Sequence, residues 1–121
     1  MLAAVLEKRI GLNLADQDIF LNVVGGIKIM DPAADLAIVL AIASAFQDKI
    51  IPFDTVVMGE VGLSAEVRSI SQIGPRINEA EKLGFKRCIV PQNNLNGRNG
   101  NKNDKIAIIG VDSLKKALEI I

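Results

Sequence analysis

The sequence predicts a mixed α/β domain of the α+β class, with about five strands and four helices. Short runs rich in Val and Ile alternate with longer segments that have helical periodicity. Gly, Pro and Asn separate these runs, as is typical of turns. Half of the 121 residues are hydrophobic, which is enough for one core, so we expect a single domain over residues 1–121.

The first part of the chain is predicted to hold one helix and one strand. Residues 2–10 repeat apolar side chains at helical spacing, and Gly11 gives a natural stop. Because no cap precedes this helix, we expect the chain to be a piece of a longer protein. Residues 18–29 are rich in β-forming side chains, and Gly25-Gly26 marks a bend within that strand.

A second helix is predicted to begin at Asp31 and to end near Gln47. Asp31 has the side chain of a helix cap, and Pro32 suits the first helical position. This helix is apolar on all its sides, so we expect it to be buried centrally in the domain. The helix dipole favours the carboxylates of Asp31 and Asp35 at this end, and we prefer that interpretation to a carboxylate metal site.

The rest of the chain is predicted to contain four strands and two helices. A loop covers residues 48–54, and a short turn at 63–65 joins the first two of these strands. The helix at 75–83 is amphipathic, and Gly84 ends it. The Asn-rich segment 93–104 has no apolar periodicity and is predicted to be an exposed loop. The strands cover residues 55–62, 66–70, 85–91 and 105–111, and the last helix covers 114–120, capped by Asp112 or Ser113.

The composition excludes several kinds of site. There is no His, which is the commonest general base and the commonest metal ligand. The single Cys88 rules out an internal disulfide and a Cys-rich zinc site, and its apolar neighbours predict a buried core residue. Without Trp or Tyr, base stacking as in single-strand binders is poorly supported. Gly25-Gly26 lacks the Lys and Ser/Thr of a phosphate-binding loop, so we predict no cofactor or metal in this chain.

The net charge is zero, but the charges are unevenly distributed. Residues 1–60 hold 4 basic and 8 acidic residues, whereas residues 61–121 hold 10 and 6. This asymmetry suits an anionic partner, and it equally suits subunits that pack acidic side against basic side. No signal peptide is recognisable, and the longest uncharged apolar run, 36–46, is well short of the ~20 residues that span a bilayer. We therefore expect a soluble, cytoplasmic protein with no membrane partner.

Several segments of the chain together resemble one known family. They cover residues 15–28, 31–37, 59–68 and 81–91, and include Asp31-Pro32-Ala33-Ala34-Asp35 and Lys82-Leu83-Gly84-Phe85-Lys86-Arg87. This succession resembles the carboxy-terminal Lon-like domain of the bacterial RadA (Sms) DNA repair and recombination proteins. The resemblance covers nearly the whole chain except the Asn-rich segment. It implies a two-layer domain of the Lon protease type, in which the family's first strand is missing here.

The same segments align more loosely with Lon proteases, which cleave peptides with a Ser nucleophile and a Lys general base. Aligning Pro32 with the Pro of their Pro-Ser-Ala-Gly motif places Ala33 at the nucleophile and Arg76 at the lysine. Met58-Gly59-Glu60 then matches their Thr-Gly-Glu without a gap. Ala33 has no hydroxyl, and an arginine guanidinium cannot accept a proton near neutral pH. The resemblance therefore implies a pseudo-protease with no catalytic residues.

The resemblance to RadA also implies the function of a larger protein. It implies a DNA-dependent ATPase that carries out branch migration of recombination intermediates. The Lon-like domain would form a homohexameric ring scaffold and bind double-stranded DNA, and a RecA-type recombinase is a further expected partner. ATP, magnesium and zinc are expected in the missing N-terminal domains. Two alternatives stay open: an active Lon-type serine peptidase, and the Lon-like domain of a magnesium-chelatase-related ring ATPase.

Basic residues are the candidates for contact with DNA. Their contacts to phosphates would be sensitive to salt and indifferent to base sequence. The alternative for each of them is a solvated surface charge. Arg76 has a further alternative, because a residue at the former dyad position can pair with an acidic residue of the domain or of a neighbouring subunit. The candidates are Arg68, Arg76, Lys82, Lys86, Arg87, Arg98 and Lys102.

Overall fold

The computed structural model describes residues 31–96 and 105–121, and these form a mixed α/β fold, which confirms the predicted class. The predicted helix at 2–10 and strand at 18–29 lie outside the described residues. The strands are β1 (Thr55–Val57), β2 (Glu60–Val61), β3 (Val67–Arg68), β4 (Arg87–Pro91) and β5 (Ala107–Val111). The helices are α1 (Asp35–Phe46), α2 (Ile73–Lys82), α3 (Gln92–Leu95) and α4 (Leu114–Ile120), and a 3-10 turn over Pro32–Ala34 precedes α1.

The described strands form two sheets. A parallel sheet has the order β1-β4-β5, with Cys88 of β4 opposite Val56 and Ile108. β2 and β3 pair antiparallel in a separate small sheet. The single strand predicted over 55–62 is therefore two strands. The chain leaves the parallel sheet at Gly59, whose N–H donates to Ala33 O and whose carbonyl oxygen accepts from Leu36 N, both at 2.9 Å.

Alternation of side chains along β4 places helices on both faces of the parallel sheet. Ile89 packs in a cluster with Leu40 of α1 and with residues of α4. Its neighbours Cys88 and Val90 point to the opposite face and pack with Ile77 of α2. Helices therefore cover both faces of the parallel sheet in the described part of the chain.

The start of α1 follows the prediction. Asp31 Oδ1 accepts a hydrogen bond from Ala33 N at 3.0 Å, and Pro32 occupies the first position of the 3-10 turn.

The expectation that α1 is buried on all sides is corrected. Ala41 and Ala45 are exposed, whereas the opposite side of the helix lies in the core. Alanine exposes little apolar surface, so an apolar sequence here is compatible with one accessible side.

The second half of the described fold also departs from the prediction at two points. α2 begins at Ile73, two residues earlier than predicted, and it ends before Gly84, which has a φ of +90° as a C-terminal stop residue should. α3 occupies the beginning of the segment that was predicted to be an exposed loop. For α4 the structure settles the cap, because Ser113 Oγ accepts from Lys116 N at 3.1 Å.

Candidate functional site

Arg76 of α2 lies beside the start of α1 and pairs there with Asp31. Arg76 Nη1 is 3.0 Å from Asp31 Oδ2, and Arg76 Nε donates to the carbonyl oxygen of Ser71 at 2.8 Å. The other oxygen of Asp31 holds the turn at Ala33. The two bonds fix the guanidinium, and the position aligned with the Lon lysine is thus occupied by one member of an ion pair within the domain.

The surroundings of Asp31 favour its charged form. The hydrogen bond from the backbone of Ala33, and next the hydrogen bond from the Arg76 side chain, lower the pKa of Asp31 below its ordinary value of 3.8. The side chains of Arg76 and Asp31 are 31% and 53% exposed, so solvent screens their attraction. The pair therefore orients the guanidinium more than it stabilises the fold.

Changing Arg76 to Gln is expected to raise the pKa of Asp31 toward 3.8 without restoring it fully, because the bond from Ala33 remains. Since folding lowers this pKa, the stabilising contribution of Asp31 is present above 3.8 and is lost as the pH falls through the folded pKa. NMR titration of the Asp31 carboxyl carbon measures the shift. Arg68→Gln is the matched control, because Arg68 lies near Glu66 instead. An unchanged Asp31 pKa in Arg76→Gln would refute the assignment.

A cleft of about 350 Å³ lies between the start of α1, β1 and α2, and we call it the Arg76 cleft. Its walls are mainly apolar. The described lining contains no hydroxyl, thiol or lysine, so it offers neither a nucleophile nor a neutral base for peptide cleavage. The lining residues are Asp31, Ala33, Ala34, Val56, Val57, Met58, Arg76, Glu79, Ala80, Leu83 and Phe85.

A smaller pocket of about 190 Å³ also touches Asp31 and Ala33 and includes Glu60, Ser69 and Ser71. Its two serines have neither a lysine nor a histidine beside them in the described lining, whose titratable groups are the carboxylates of Asp31 and Glu60. Across residues 31–96 and 105–121, no three carboxylate or Cys side chains come together as a metal site would need. The described lining of neither pocket therefore contains the Ser and Lys pair of a Lon-type dyad.

Cys88 is a core residue, as predicted. Its side chain is fully buried in the parallel sheet, and burial raises the pKa of the thiol to about 11. A thiol that stays protonated and shielded is a poor nucleophile.

The basic residues predicted to contact DNA differ in their contacts. Arg68 Nη2 lies 3.8 Å from Glu66 Oε1, and Arg87 Nη2 donates to Ile120 O at 3.4 Å. Lys82 and Lys86 are exposed, at and just beyond the end of α2, and their side chains have no bonded partner in the described part of the chain. Arg98 and Lys102 lie outside the described residues. Arg87 thus has a structural contact that the sequence did not indicate.

Asn94 is the residue near this site that the sequence did not reveal. Its side-chain oxygen accepts from Ile70 N and its side-chain nitrogen donates to Ile70 O, both at 2.9 Å. These bonds fix the segment that leads into α2, including the Ser71 carbonyl that holds Arg76. The sequence feature that could have indicated an ordered segment here is Leu95, an apolar residue in the polar stretch. Leu95 packs against the core on the α2 side of the sheet.

The fold and the Arg76 cleft define a mixed α/β domain with a capped helix start beside a cleft that lacks a nucleophile in its described lining. A family model described as subunit ChlI of Mg-chelatase matches residues 2–94. The chain is also similar to three proteins named DNA repair protein RadA. Identity is 48% over 99% of this chain in Halalkalibacterium halodurans, 51% over 98% in Bacillus subtilis and 45% over 99% in Escherichia coli. The chain belongs to the family of that model, as the Lon-like domain of its RadA-type members.

The chain matches only part of each of these relatives. The chain spans only 25–26% of the length of the three RadA proteins. In residues 31–96 and 105–121, none of the helices combines the length and apolar character that crossing a membrane requires.

Proposed function

We propose that this chain is the non-proteolytic Lon-like domain of a cytoplasmic RadA-type ATPase for DNA repair and recombination. In this role it serves as a hexameric ring scaffold and binds duplex DNA during branch migration of recombination intermediates. The observation that carries the proposal is the match to RadA proteins over 98–99% of the chain. ATP, magnesium and zinc would act in other domains of that protein, and a RecA-type recombinase would be a partner.

The comparisons with known proteins also help to weigh the alternative of a magnesium-chelatase-related ring ATPase. That alternative draws on the description of the matching family model. Relatives that cover 98–100% of the chain favour RadA instead, since they carry that name at 36–51% identity. The RadA assignment is therefore the better supported of the two.

The chain is expected to leave casein intact. Ala33 presents a methyl group, and Arg76 donates to Asp31 and Ser71 and cannot take a proton. Release of fluorescent fragments from labelled casein should equal that of a buffer control. Ala33→Ser should stay at the same level, because Arg76 cannot take the proton of the new hydroxyl and Asp31 already accepts from Ala33 N and Arg76. Hydrolysis by the purified chain that an active-site serine reagent abolishes would contradict the proposal and support the peptidase alternative.

The two basic residues best placed for phosphate contact are Lys82 and Lys86. Both are exposed, and among the described residues neither side chain is neutralised by an ion pair. A lysine without a carboxylate partner can approach a phosphate with no internal bond to break. Arg76 and Arg87 would first have to give up Asp31 and Ile120 O.

Removing both lysines as Lys82→Gln/Lys86→Gln is expected to weaken duplex binding for all base sequences. The slope of log affinity against log salt should become shallower by about 2, because each lysine releases about one counterion. Gel-shift titration over rising salt measures both effects. Lys115→Gln/Lys116→Gln is the matched control, since these exposed lysines lie on α4. Equal effects of the two double variants would refute the assignment of Lys82 and Lys86.

The scaffold role has a separate test. Light scattering of the chain in solution should give the mass of six copies, because a ring needs each copy to bind its neighbour head to tail. If a ring forms but duplex DNA is not bound at low salt, the scaffold role stands and the DNA-binding role fails.

A further inference from the structure

The Arg76 cleft has a chemistry opposite to that of a DNA-binding surface. We propose that it binds an extended segment of a partner protein that presents a Lys or Arg side chain beside an apolar one. This function goes beyond the proposed function, because it concerns a different ligand. The proposal rests on the apolar walls of the cleft, on its volume and on its excess negative charge.

The apolar wall is accessible to a partner. Leu83 is 68% exposed, and among the exposed large hydrophobic side chains of the described residues (Ile50, Phe53, Leu63 and Leu83) it is the one that lines the cleft. Phe85 and Met58 continue this wall inward. Apolar surface that faces water gains free energy when an apolar group covers it. The cleft therefore favours a ligand with a substantial hydrophobic part.

The volume limits what that ligand can be. At about 350 Å³ the cleft is at the lower end of the ~300–1,000 Å³ that is usual for small-molecule sites. It suits one or two side chains of a peptide better than a nucleotide or an organic cofactor.

The charge of the cleft selects for a cation. Asp31 and Arg76 neutralise each other at 3.0 Å. Glu79 also lines the cleft, is exposed, and has no ion pair among the described residues. Lys82, on the same helix, does not line the cleft. The described lining therefore carries one uncompensated negative charge, which repels phosphate and attracts a cation.

A Lys or Arg side chain meets both requirements. Its aliphatic stem can lie along Leu83 and Phe85 while its charged head reaches Glu79. A free polyamine has a similar methylene stem but no second, apolar side chain to cover the rest of the wall, so we assign the cleft to a protein segment.

The test is an NMR titration of backbone amides with blocked peptides. The probe is Ala-Leu-Lys-Ala, and a second peptide has norleucine in place of Lys. The Lys peptide should shift the amide signals of Ala33, Val56 and Ala80, which line the cleft. The norleucine peptide should bind several-fold more weakly, because it lacks the cation for Glu79.

Two matched pairs of variants test the two parts of the site. Leu83→Gln should lower the affinity for the Lys peptide about tenfold. Ile50→Gln should leave that affinity unchanged, because the Ile50 side chain is 84% exposed and is not part of the described lining. Glu79→Gln should remove the preference for Lys over norleucine, and Glu119→Gln on α4 should leave it unchanged. All four side chains are largely exposed, and a dispersed amide spectrum confirms that each variant is folded.

Three results would overturn the proposal. The first is the absence of shifts in the cleft at millimolar peptide. The second is an equal effect of Leu83→Gln and Ile50→Gln. The third is equally strong binding of spermidine or duplex DNA at the same amides, which would make the cleft an amine or nucleic-acid site. The result for the peptide is independent of the gel-shift result at Lys82 and Lys86, so either proposal can fail alone.

Discussion

Replacing Ile77 by Ala is expected to lower the free energy of unfolding by about 2–5 kcal/mol. Ile77 is fully buried and is the one large buried side chain of α2. It packs with Cys88 and Val90 on one face of the parallel sheet. Its loss leaves a cavity where α2 is anchored, and α2 carries Arg76 and one wall of the cleft. The change in denaturation midpoint, followed by circular dichroism, measures the effect.

The matched control for Ile77 is the same substitution at an exposed position. Ile50 is 84% exposed, so Ile50→Ala should change the free energy of unfolding by no more than about 0.5 kcal/mol. Similar midpoints for the two variants would show that α2 is not anchored through Ile77.

Replacing Gly59 by Ala is expected to lower the free energy of unfolding by about 1–3 kcal/mol. A Cβ atom at this position would lie 3.0 Å from Val67 Cγ1 and 3.2 Å from Leu36 Cδ2, and both of these side chains are buried. Relief of the contacts by a backbone shift would disturb the bonds of Gly59 to Ala33 and Leu36. Thermal unfolding measures the loss, and the start of α1 should be the first region affected.

Gly74→Ala makes the same chemical change where the surroundings leave room for it. Gly74 lies in α2, and a Cβ atom there would meet nothing within 4 Å apart from its chain neighbours. Ala favours the helix, but Pro75 follows, and a proline ring disfavours helical backbone for a preceding residue that carries a Cβ atom. Because these two effects oppose each other, the free energy of unfolding should change by no more than about 0.5 kcal/mol. A loss at Gly74 as large as that at Gly59 would show that close packing at Gly59 is not the cause.

The features that could be predicted from the sequence are those with local signals. Asp31 and Pro32 mark the start of a helix by their own chemistry, and Gly84 marks the end of another by its backbone freedom. The Cys88 environment was also predictable, because the apolar residues that follow it indicate a buried strand.

The features that escaped prediction depend on partners far along the chain. The strand predicted over 55–62 is interrupted because Gly59 bonds to Ala33 and Leu36, more than twenty residues earlier. α3 was missed because Asn94, in a stretch typical of loops, finds both backbone groups of Ile70. The partner of Arg76 had to stay open for the same reason, since Asp31 lies 45 residues away.

Burial of Cys88 makes the domain a reporter of its own opening. This thiol is the only one in the 121 residues, it is inaccessible to water, and its pKa is raised to about 11. An alkylating reagent at neutral pH can therefore react only when α2 has separated from the sheet and the thiol has become both exposed and ionisable. The rate of labelling at the Cys88 sulfur therefore measures how often the domain opens in this way. Because Cys88 packs in the same cluster as Ile77, the rate at which a thiol-reactive dye labels Cys88 reports how firmly α2 is anchored to the sheet.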